Sequence, residues 1–168
     1  MTSSREENLQ TYVSADAATT TNKPWELEVS SRTLRLISWI AMAAVLAIHI
    51  FMAFVVAVGD TGAAVTPIDQ WAFVGIGLVF VWLCWGIRRP RVRANADGVE
   101  VRNFIGTRFY PWQLIYGLSF PKKSPAARLE LPDFEFVPMW AFFARDGEQV
   151  VRAVSAFREL EARYMPQD

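Results

Sequence analysis

Five arginines are the residues of this sequence whose type and spacing best fit a binding chemistry. Four follow an apolar stretch within six residues, and one comes later: Arg88, Arg89, Arg91, Arg93 and Arg102. A guanidinium group presents a planar fork of donors that matches phosphate oxygens. Beside an apolar stretch, the anions in reach are lipid phosphates, and each basic group near an anionic membrane surface contributes about 1 kcal/mol. We therefore predict that these arginines bind anionic lipid.

A predicted hairpin adds Arg102 to this group. Asp97-Gly98 lies between two runs of alternating apolar and polar residues, and this dipeptide favours a two-residue turn. In that register Arg93 lies opposite Arg102, and Arg91 shares the same strand face. Like charges directly opposite each other destabilise a strand pair, so a bound anion would relieve the repulsion. Screening of the pair by water and salt is the alternative.

His49 is a candidate for an intramembrane contact, because it lies deep in an uncharged stretch. An ionisable side chain in that environment needs a partner. If the two apolar stretches form a helical hairpin, the opposite residue is Phe80, which offers no hydrogen bond. Two interpretations stay open: a neutral histidine bonded to a backbone carbonyl, or a contact with another chain through small-residue surfaces. Those surfaces are Ala43-x-x-x-Ala47 and Ala53-x-x-x-Ala57.

No group of residues suited to catalysis or metal binding is visible. The single His and the single Cys both lie in apolar stretches, which excludes a site with Cys/His ligand spacing. Glu130, Asp133 and Glu135 could form an acid–base pair, but a solvated polar face is the simpler interpretation. With 17 basic and 17 acidic residues, net charge identifies no partner. We predict a protein that is not an enzyme and binds no metal, cofactor or nucleic acid.

Two uncharged stretches must position the arginines and His49. Leu36–Val58 has 23 residues and would reach about 34 Å as a helix, enough to cross a bilayer. Trp71–Ile87 has 17 residues, at the short end of the spanning range. Both are hydrophobic on all sides, which indicates lipid rather than a soluble core. A cleaved signal peptide is the alternative, but the long leader of mixed charge does not fit one.

Basic residues flank the two stretches on their outer sides. Lys23, Arg32 and Arg35 precede the first, and the arginine cluster follows the second. The loop 59–70 has two aspartates and no base. Because positive flanks stay cytoplasmic, we predict a multi-pass inner-membrane protein with both termini inside and 59–70 outside. Residues 1–30 show no periodicity and are predicted to be a disordered cytoplasmic tail.

Residues 88–164 change to period two, which is typical of strands. Short strand-like runs separated by turn residues predict a small antiparallel barrel or sandwich. After the Asp97-Gly98 hairpin, the runs are Thr107–Tyr110, Ile115–Phe120, Arg128–Leu131 and Phe134–Met139. A tight turn at Pro132-Asp133 would set Leu131 opposite Phe134 on an apolar face.

The last segment changes to helical spacing. Its apolar or aromatic positions, with one glutamate among them, are Val150, Val151, Val154, Phe157, Leu160, Glu161 and Tyr164. Glu148–Arg152 and Glu159–Arg163 are spaced as helical ion pairs on the other side. We predict one amphipathic helix that covers the open end of the barrel, with Phe157 and Leu160 buried.

Strands followed by a capping helix form the layout of a pleckstrin-homology-like (PH-like) domain. The pieces that carry a closer likeness are DGVEVRN (97–103), PWQLIYGLSFP (111–121), ARLELPD (127–133), VP (137–138) and DGE (146–148). They resemble the actinobacterial PH-like domain family named after low molecular weight protein antigen 6. The resemblance implies a PH-like fold behind two apolar segments. It implies no catalytic motif and no biochemical role, because fold analogy alone does not give function.

These observations predict an α+β protein: a two-helix transmembrane hairpin (36–58 and 71–87), then a PH-like antiparallel barrel or sandwich with a capping helix (88–164). We expect an integral inner-membrane protein with a non-catalytic interaction module at the cytoplasmic face. Its partner would be membrane lipid with anionic headgroups, another membrane protein or a second copy of the chain. The alternative is an accessory subunit of an envelope or respiratory membrane complex.

Overall fold

The computed structural model describes residues 21–58 and 66–165, except the side chains of residues 57 and 58. The chain divides into two compact units. One consists of the residues up to Ser30 together with those from Arg91 onward, and the other is Ser31–Pro90. The second unit is therefore inserted into the sequence of the first.

The inserted unit is a pair of long helices, α1 (Arg32–Val58) and α2 (Pro67–Gly86). Both begin four residues before the predicted stretches, because polar residues close their first turns. The Ser31 hydroxyl accepts the Leu34 N–H, and the Asp69 carboxylate accepts the backbone N–H and hydroxyl of Thr66. The second helix thus has 20 residues rather than the 17 of the predicted stretch, which is a typical length for a membrane-spanning helix.

The two helices pack antiparallel through a narrow stripe. The Ser38 hydroxyl donates to the Cys84 carbonyl oxygen at 2.7 Å, and His49 packs against Gly77 further along. Gly77 is required there, since a Cβ would lie 2.7 Å from the His49 Cβ. The rest of the helical surface stays open: only 6% of the most apolar window of each helix is buried.

The other unit contains two antiparallel sheets and one helix. Sheet A has the order β1 (Leu27–Val29), β2 (Arg91–Asn95), β3 (Gly98–Arg102) and β4 (Thr107–Pro111). Sheet B contains β5 (Gly117–Ser119), β6 (Ala126–Glu130) and β7 (Phe136–Phe143). Helix α3 (Glu148–Tyr164) follows. The predicted α+β class with a capping helix is confirmed, but the two sheets do not close into a barrel.

The core of this unit lies between the two sheets and α3. Its largest fully buried side chains include Trp112, Leu129, Phe142 and Phe157. The Trp112 indole N–H donates to the Asn95 carbonyl oxygen at 2.8 Å, which satisfies its only polar group. Phe157 contacts both Trp112 and Phe142 with ring centroids 5.8 and 5.9 Å apart. The predicted burial of Phe157 and Leu160 is confirmed.

Strand β1 corrects the predicted extent of the N-terminal tail. Residues 27–29 lie within the segment predicted to be disordered, yet they pair with β2 along the edge of sheet A. Leu27 and Val29 pack on the core, whereas Glu28 faces outward. A run of three residues is too short for a period-two pattern to be recognised. Residues 1–20 of the predicted tail lie outside the described part of the chain.

The β2–β3 hairpin turns one residue earlier than predicted. Asn95 pairs with Gly98, so the turn residues are Ala96 and Asp97. The Asn95 side chain accepts the backbone N–H groups of Asp97 and Gly98, which fixes this turn. Gly98 lies within the strand, where a Cβ would collide with the Tyr110 carbonyl oxygen.

The β6–β7 connection also differs from the prediction. Glu130 pairs with Phe136, and a short 3-10 turn at Pro132–Phe134 separates the strands. Asp133 and Phe134 both have positive φ, 59° and 60°. The predicted pair of Leu131 with Phe134 is therefore wrong, and the Phe134 side chain is fully exposed.

Two predicted features of α3 differ in the structure. Val151 lies outside the buried face and is 64% exposed. Arg163 pairs with Glu26 at 3.3 Å instead of Glu159. The neighbouring Tyr164 hydroxyl donates to Glu26 at 2.8 Å, so the helix end is attached to the segment that leads into β1.

Sheet A has two distinct ends, which we name for what lies there. The linker end is where the chain passes between the two units, after Ser30 and before Arg91. Because Arg91 pairs with Arg102, the β3–β4 turn (103–106) also lies at the linker end. The closed end is the opposite end of the strands, where the β2–β3 turn, Ala96-Asp97, lies.

Candidate lipid-facing site

Arg91 and Arg93 have an acidic neighbour that the sequence pattern did not reveal. Glu28 of β1 lies opposite Arg93, 3.1 Å from its Nε and 3.6 Å from the Arg91 Nη1. The Arg93 guanidinium also lies 5.6 Å from the Trp25 ring centroid. These arginines therefore have internal partners, although exposed pairs of this kind are worth only about 0–1 kcal/mol.

Two arginines do lie opposite each other in the β2–β3 pair, but Arg102 is opposite Arg91 rather than Arg93. Arg93 lies opposite Glu100, so its predicted pairing with Arg102 is wrong. Arg102 lies opposite Arg91 instead, at the linker end of the sheet. Within the described part of the chain, no carboxylate lies within 4 Å of Arg102. This arginine pair lies at the linker end of sheet A, and Glu28 compensates only Arg91.

Arg88 and Arg89 follow directly after α2 and differ in their surroundings. The Arg88 guanidinium lies 4.1 Å from the Trp85 ring centroid and 5.1 Å from that of Trp39. Stacking between two indoles keeps a guanidinium partly dehydrated and suits the boundary between apolar and polar media. Arg89 is exposed. The two predicted site residues therefore stand apart, one fixed against α1 and α2 and one open to a ligand.

His49 has its partner within the same chain. Its Nδ1 lies 2.8 Å from the Val45 carbonyl oxygen, one helical turn earlier, and the Nδ1–H donates to it. The ring also lies 5.8 Å from the Phe80 ring, the neighbour expected from the hairpin geometry. This arrangement matches the backbone-carbonyl interpretation of His49 and removes its need for a second chain.

The acidic residues around the β6–β7 turn lie on the surface. Glu130, Asp133 and Glu135 are all exposed, as expected of a solvated face. The described residues contain no group of three or more His, Cys, Asp or Glu side chains that could hold a metal ion.

The closed end of sheet A is held by a polar cluster. The buried Asn95 amide donates to the Thr21 hydroxyl at 3.1 Å and to the Lys23 carbonyl oxygen at 3.2 Å. Asp97 accepts hydrogen bonds from the Lys23 ammonium and the Thr21 hydroxyl, and these lower the pKa of its carboxyl group. Asp97 is therefore charged and paired at neutral pH.

Glu161 links α3 to sheet B. Its carboxylate accepts the Leu118 backbone N–H at 3.2 Å and lies where a Cβ on Gly117 would collide. Burial raises the pKa of Glu161, although the Leu118 hydrogen bond and the nearby Arg158 act in the opposite direction. Glu161 was predicted on the apolar face, and the structure explains why a carboxylate is tolerated there.

Sequence reasoning missed an apolar surface at the linker end. In the β3–β4 turn, Phe104 packs on Trp140 of β7 with ring centroids 5.3 Å apart, and Ile105 is 96% exposed. The Asn103 side-chain amide donates to the Pro138 carbonyl oxygen at 2.8 Å. The β3–β4 turn is thereby attached to the middle of β7. A signal was present in the sequence: Ile105 precedes a turn glycine, where polar residues are usual.

The comparisons with known proteins agree with this architecture. Residues 89–160 match the family model described as Bacterial PH domain. An uncharacterized protein of Mycobacterium tuberculosis and one of Mycobacterium bovis are each 32% identical over 142 residues. Each alignment covers 84% of this chain and 92% of the relative. No solved structure matches the chain. The match with the mycobacterial relatives extends well beyond the PH domain, and the chain therefore belongs to their family of bacterial PH-domain proteins.

Proposed function

We propose that this protein is an integral inner-membrane protein whose PH domain is a non-catalytic interaction module for anionic lipid at the cytoplasmic face. The observation that carries the proposal is the insertion of two long apolar helices, almost unburied within the chain, between β1 and β2. A soluble core helix would be covered, whereas these helices expose large apolar side chains on most sides. The narrower resemblance to the antigen 6 family remains a hypothesis consistent with mycobacterial relatives.

The pairing of β1 with β2 supports a topology with both chain ends on the same side. Strand β1 precedes α1 and β2 follows α2, and the two strands are hydrogen-bonded neighbours. If the helices cross a membrane, they must therefore cross it an even number of times. The basic residues that flank both helices favour the cytoplasm as the shared side.

Cysteine labelling in intact cells tests the topology. In a Cys84→Ala background, Ala64→Cys should react with a membrane-impermeant maleimide, whereas Lys122→Cys should react only after cells are opened. Lys122 is exposed in the PH domain, so access is limited only by the membrane. Labelling of Lys122→Cys in intact cells would contradict the cytoplasmic position of the domain.

We assign anionic headgroup binding to two arginines, one in each unit: Arg89 after α2 and Arg102 at the end of β3. Arg89 is exposed, and Arg102 lies opposite another arginine without a carboxylate of its own among the described residues. A lipid phosphate beside Arg102 would offset its repulsion with Arg91, and the exposed Arg89 offers a second guanidinium group to headgroups. Arg91 and Arg93 contribute less, because Glu28 already pairs with both.

A thermal-shift experiment on the full chain in detergent tests this assignment. Phosphatidylglycerol should raise the melting temperature of the wild type more than phosphatidylcholine does. The double variant Arg89→Gln/Arg102→Gln should lose that difference. The matched control is Lys122→Gln/Lys123→Gln, two exposed bases in the β5–β6 loop, and it should keep the difference. Equal shifts in wild type and Arg89→Gln/Arg102→Gln would contradict headgroup binding there.

One observation favours a second function, that of a subunit in a larger membrane complex. The α1–α2 interface uses the helix face that carries Ser38 and His49, and it leaves Ala43 and Ala47 exposed on α1. Small residues allow another helix to approach closely. Affinity purification in mild detergent separates the two functions: a stoichiometric protein partner that is lost in Ala43→Leu/Ala47→Leu would favour the subunit.

A further inference from the structure

Two exposed hydrophobic turn tips stand out in the PH domain. Ile105 in the β3–β4 turn and Phe134 in the β6–β7 turn are almost completely exposed, 96% and 104%. Each occupies a turn, where polar residues are the usual choice. Isolated exposed apolar residues are common on proteins, so position and backbone geometry must decide whether these two matter.

The turns that carry both tips are connected to the same strand, β7. The β3–β4 turn lies at the linker end of sheet A, where the chain runs into α1 and out of α2. It contacts the middle of β7 through Asn103 and Phe104, which lie against Pro138 and Trp140. The β6–β7 turn leads into the start of the same strand at Phe136. The closed end of the sheet carries hydrogen-bonded polar residues instead.

Backbone geometry adds an independent argument at Phe134. A bulky residue with φ of 60° is a genuine outlier, because its Cβ crowds the backbone in the left-handed region. Glycine would avoid this strain. Asp133 precedes it with φ of 59°, so two successive residues hold an unfavourable conformation that directs an aromatic ring into solvent. Such strain persists at positions with a function more often than elsewhere.

We propose that Ile105 and Phe134 are insertion tips that enter the boundary between headgroups and acyl chains of the membrane that holds α1 and α2. The inference rests on the membrane anchoring proposed above, and it adds a second, apolar attachment of the PH domain. Two residues connect β1 to α1 and four connect α2 to β2, so the linker end is the part of sheet A with the shortest chain path to the proposed membrane spans. Aromatic and aliphatic side chains partition into this boundary, at a depth of about 5–10 Å. The occupant is phospholipid rather than protein.

Site-specific fluorescence on the full chain in phospholipid vesicles tests the proposal. In the Cys84→Ala background, single cysteines replace Ile105, Phe134, Ala162 and Ile48, and each carries an environment-sensitive label. Ala162 is the matched control, because it is exposed on α3 beside Arg163 and Tyr164, which contact Glu26 on the closed-end side of β1. Ile48 is exposed on α1 and reports membrane anchoring itself.

The expected result is a blue-shifted emission at positions 105 and 134, with loss of most fluorescence when spin-labelled lipids are added. The label at position 162 should show neither effect. Water-like emission at 105 and 134, with quenching at 48, would overturn the insertion tips and leave the membrane anchoring intact. Water-like emission at 48 would overturn the anchoring as well. Because the vesicles contain no other protein, quenching cannot come from a protein partner.

Discussion

The two ends of sheet A present opposite chemistry within one small domain. At the closed end, Asn95, Asp97, Thr21 and Lys23 satisfy one another through hydrogen bonds and an ion pair. At the linker end, an arginine pair is only partly neutralised, and Ile105 is left uncovered. Residues of the domain itself satisfy the polar side chains named at the closed end. At the linker end, the described residues leave Arg102 without a carboxylate within 4 Å and leave Ile105 exposed.

Removing β1 should have the largest effect on stability, because this strand extends along β2 from the closed end of sheet A toward the linker end. We compare the fragment 91–168 with a fused chain in which residues 21–30 are joined to 91–168 by a short glycine-rich turn. The pairing of Val29 with Val92 makes that turn geometrically simple. In the fused chain, Leu27 and Val29 pack on the core and Glu28 makes its polar contacts. Its free energy of unfolding in urea should therefore exceed that of the fragment 91–168 by at least about 4 kcal/mol. Equal midpoints would show that β1 is dispensable.

Phe157→Ala should have the next largest effect, since it removes a fully buried ring from the core between the two sheets and α3. Phe157 is fully buried against Trp112 and Phe142. Unfolding of the fused chain should become easier by about 3–5 kcal/mol. Val151→Ala on the same helix is the control, and its exposed side chain should cost less than about 0.5 kcal/mol. Similar losses in the two variants would contradict the observed orientation of α3.

A pair of substitutions compares the two ends directly. Asn95→Ala should destabilise the fused chain by about 1–3 kcal/mol, because it leaves buried donors and acceptors at the closed end without partners. Ile105→Ser should change the stability by less than about 0.5 kcal/mol, because the side chain touches little of the protein. If Ile105→Ser proved the more harmful change, the linker end would be part of the core rather than an open surface.

The smallest expected effect concerns pH at the closed end. Hydrogen bonds from Lys23 and Thr21 lower the pKa of Asp97 below its ordinary value of 3.8. The stabilisation is therefore present above pH 3.8 and is lost as the pH falls through the lower, folded-state pKa. In urea titrations from about pH 6 to about pH 3, Asp97→Asn should lose less stability than the wild type. Parallel dependence of stability on pH in the two proteins would contradict a stabilising role of the Asp97 carboxylate.

The prediction from sequence succeeded where local pattern decides and failed where distant pairing decides. Hydropathy was sufficient to find α1 and α2, and helical spacing was sufficient to identify Phe157 and Leu160 as core residues. Strand β1 was not predicted because its partner, β2, follows only after both helices in the sequence. No neighbouring residue therefore indicates that residues 27–29 form a strand. Once β1 is missed, Glu28 is missed too, and the arginines appear less compensated than they are.

Turn registers failed for a different reason. Asp97-Gly98 has the composition of a type I′ turn, but the Asn95 side chain makes two hydrogen bonds that favour the turn one residue earlier. In the β6–β7 turn, Asp133 and Phe134 adopt positive φ. Composition does not predict this conformation for a phenylalanine. That single difference moves Phe134 from the expected core face to the surface, where it becomes a candidate for membrane contact.

The insertion of the helices between two paired strands also has a consequence for biogenesis. During synthesis β1 emerges first and must wait until both helices have been made and β2 has followed. If the two helices cross a membrane as proposed and α2 failed to return through it, β1 and β2 would be left in different compartments and could not pair. On the proposed topology, formation of sheet A would therefore depend on correct insertion of both helices.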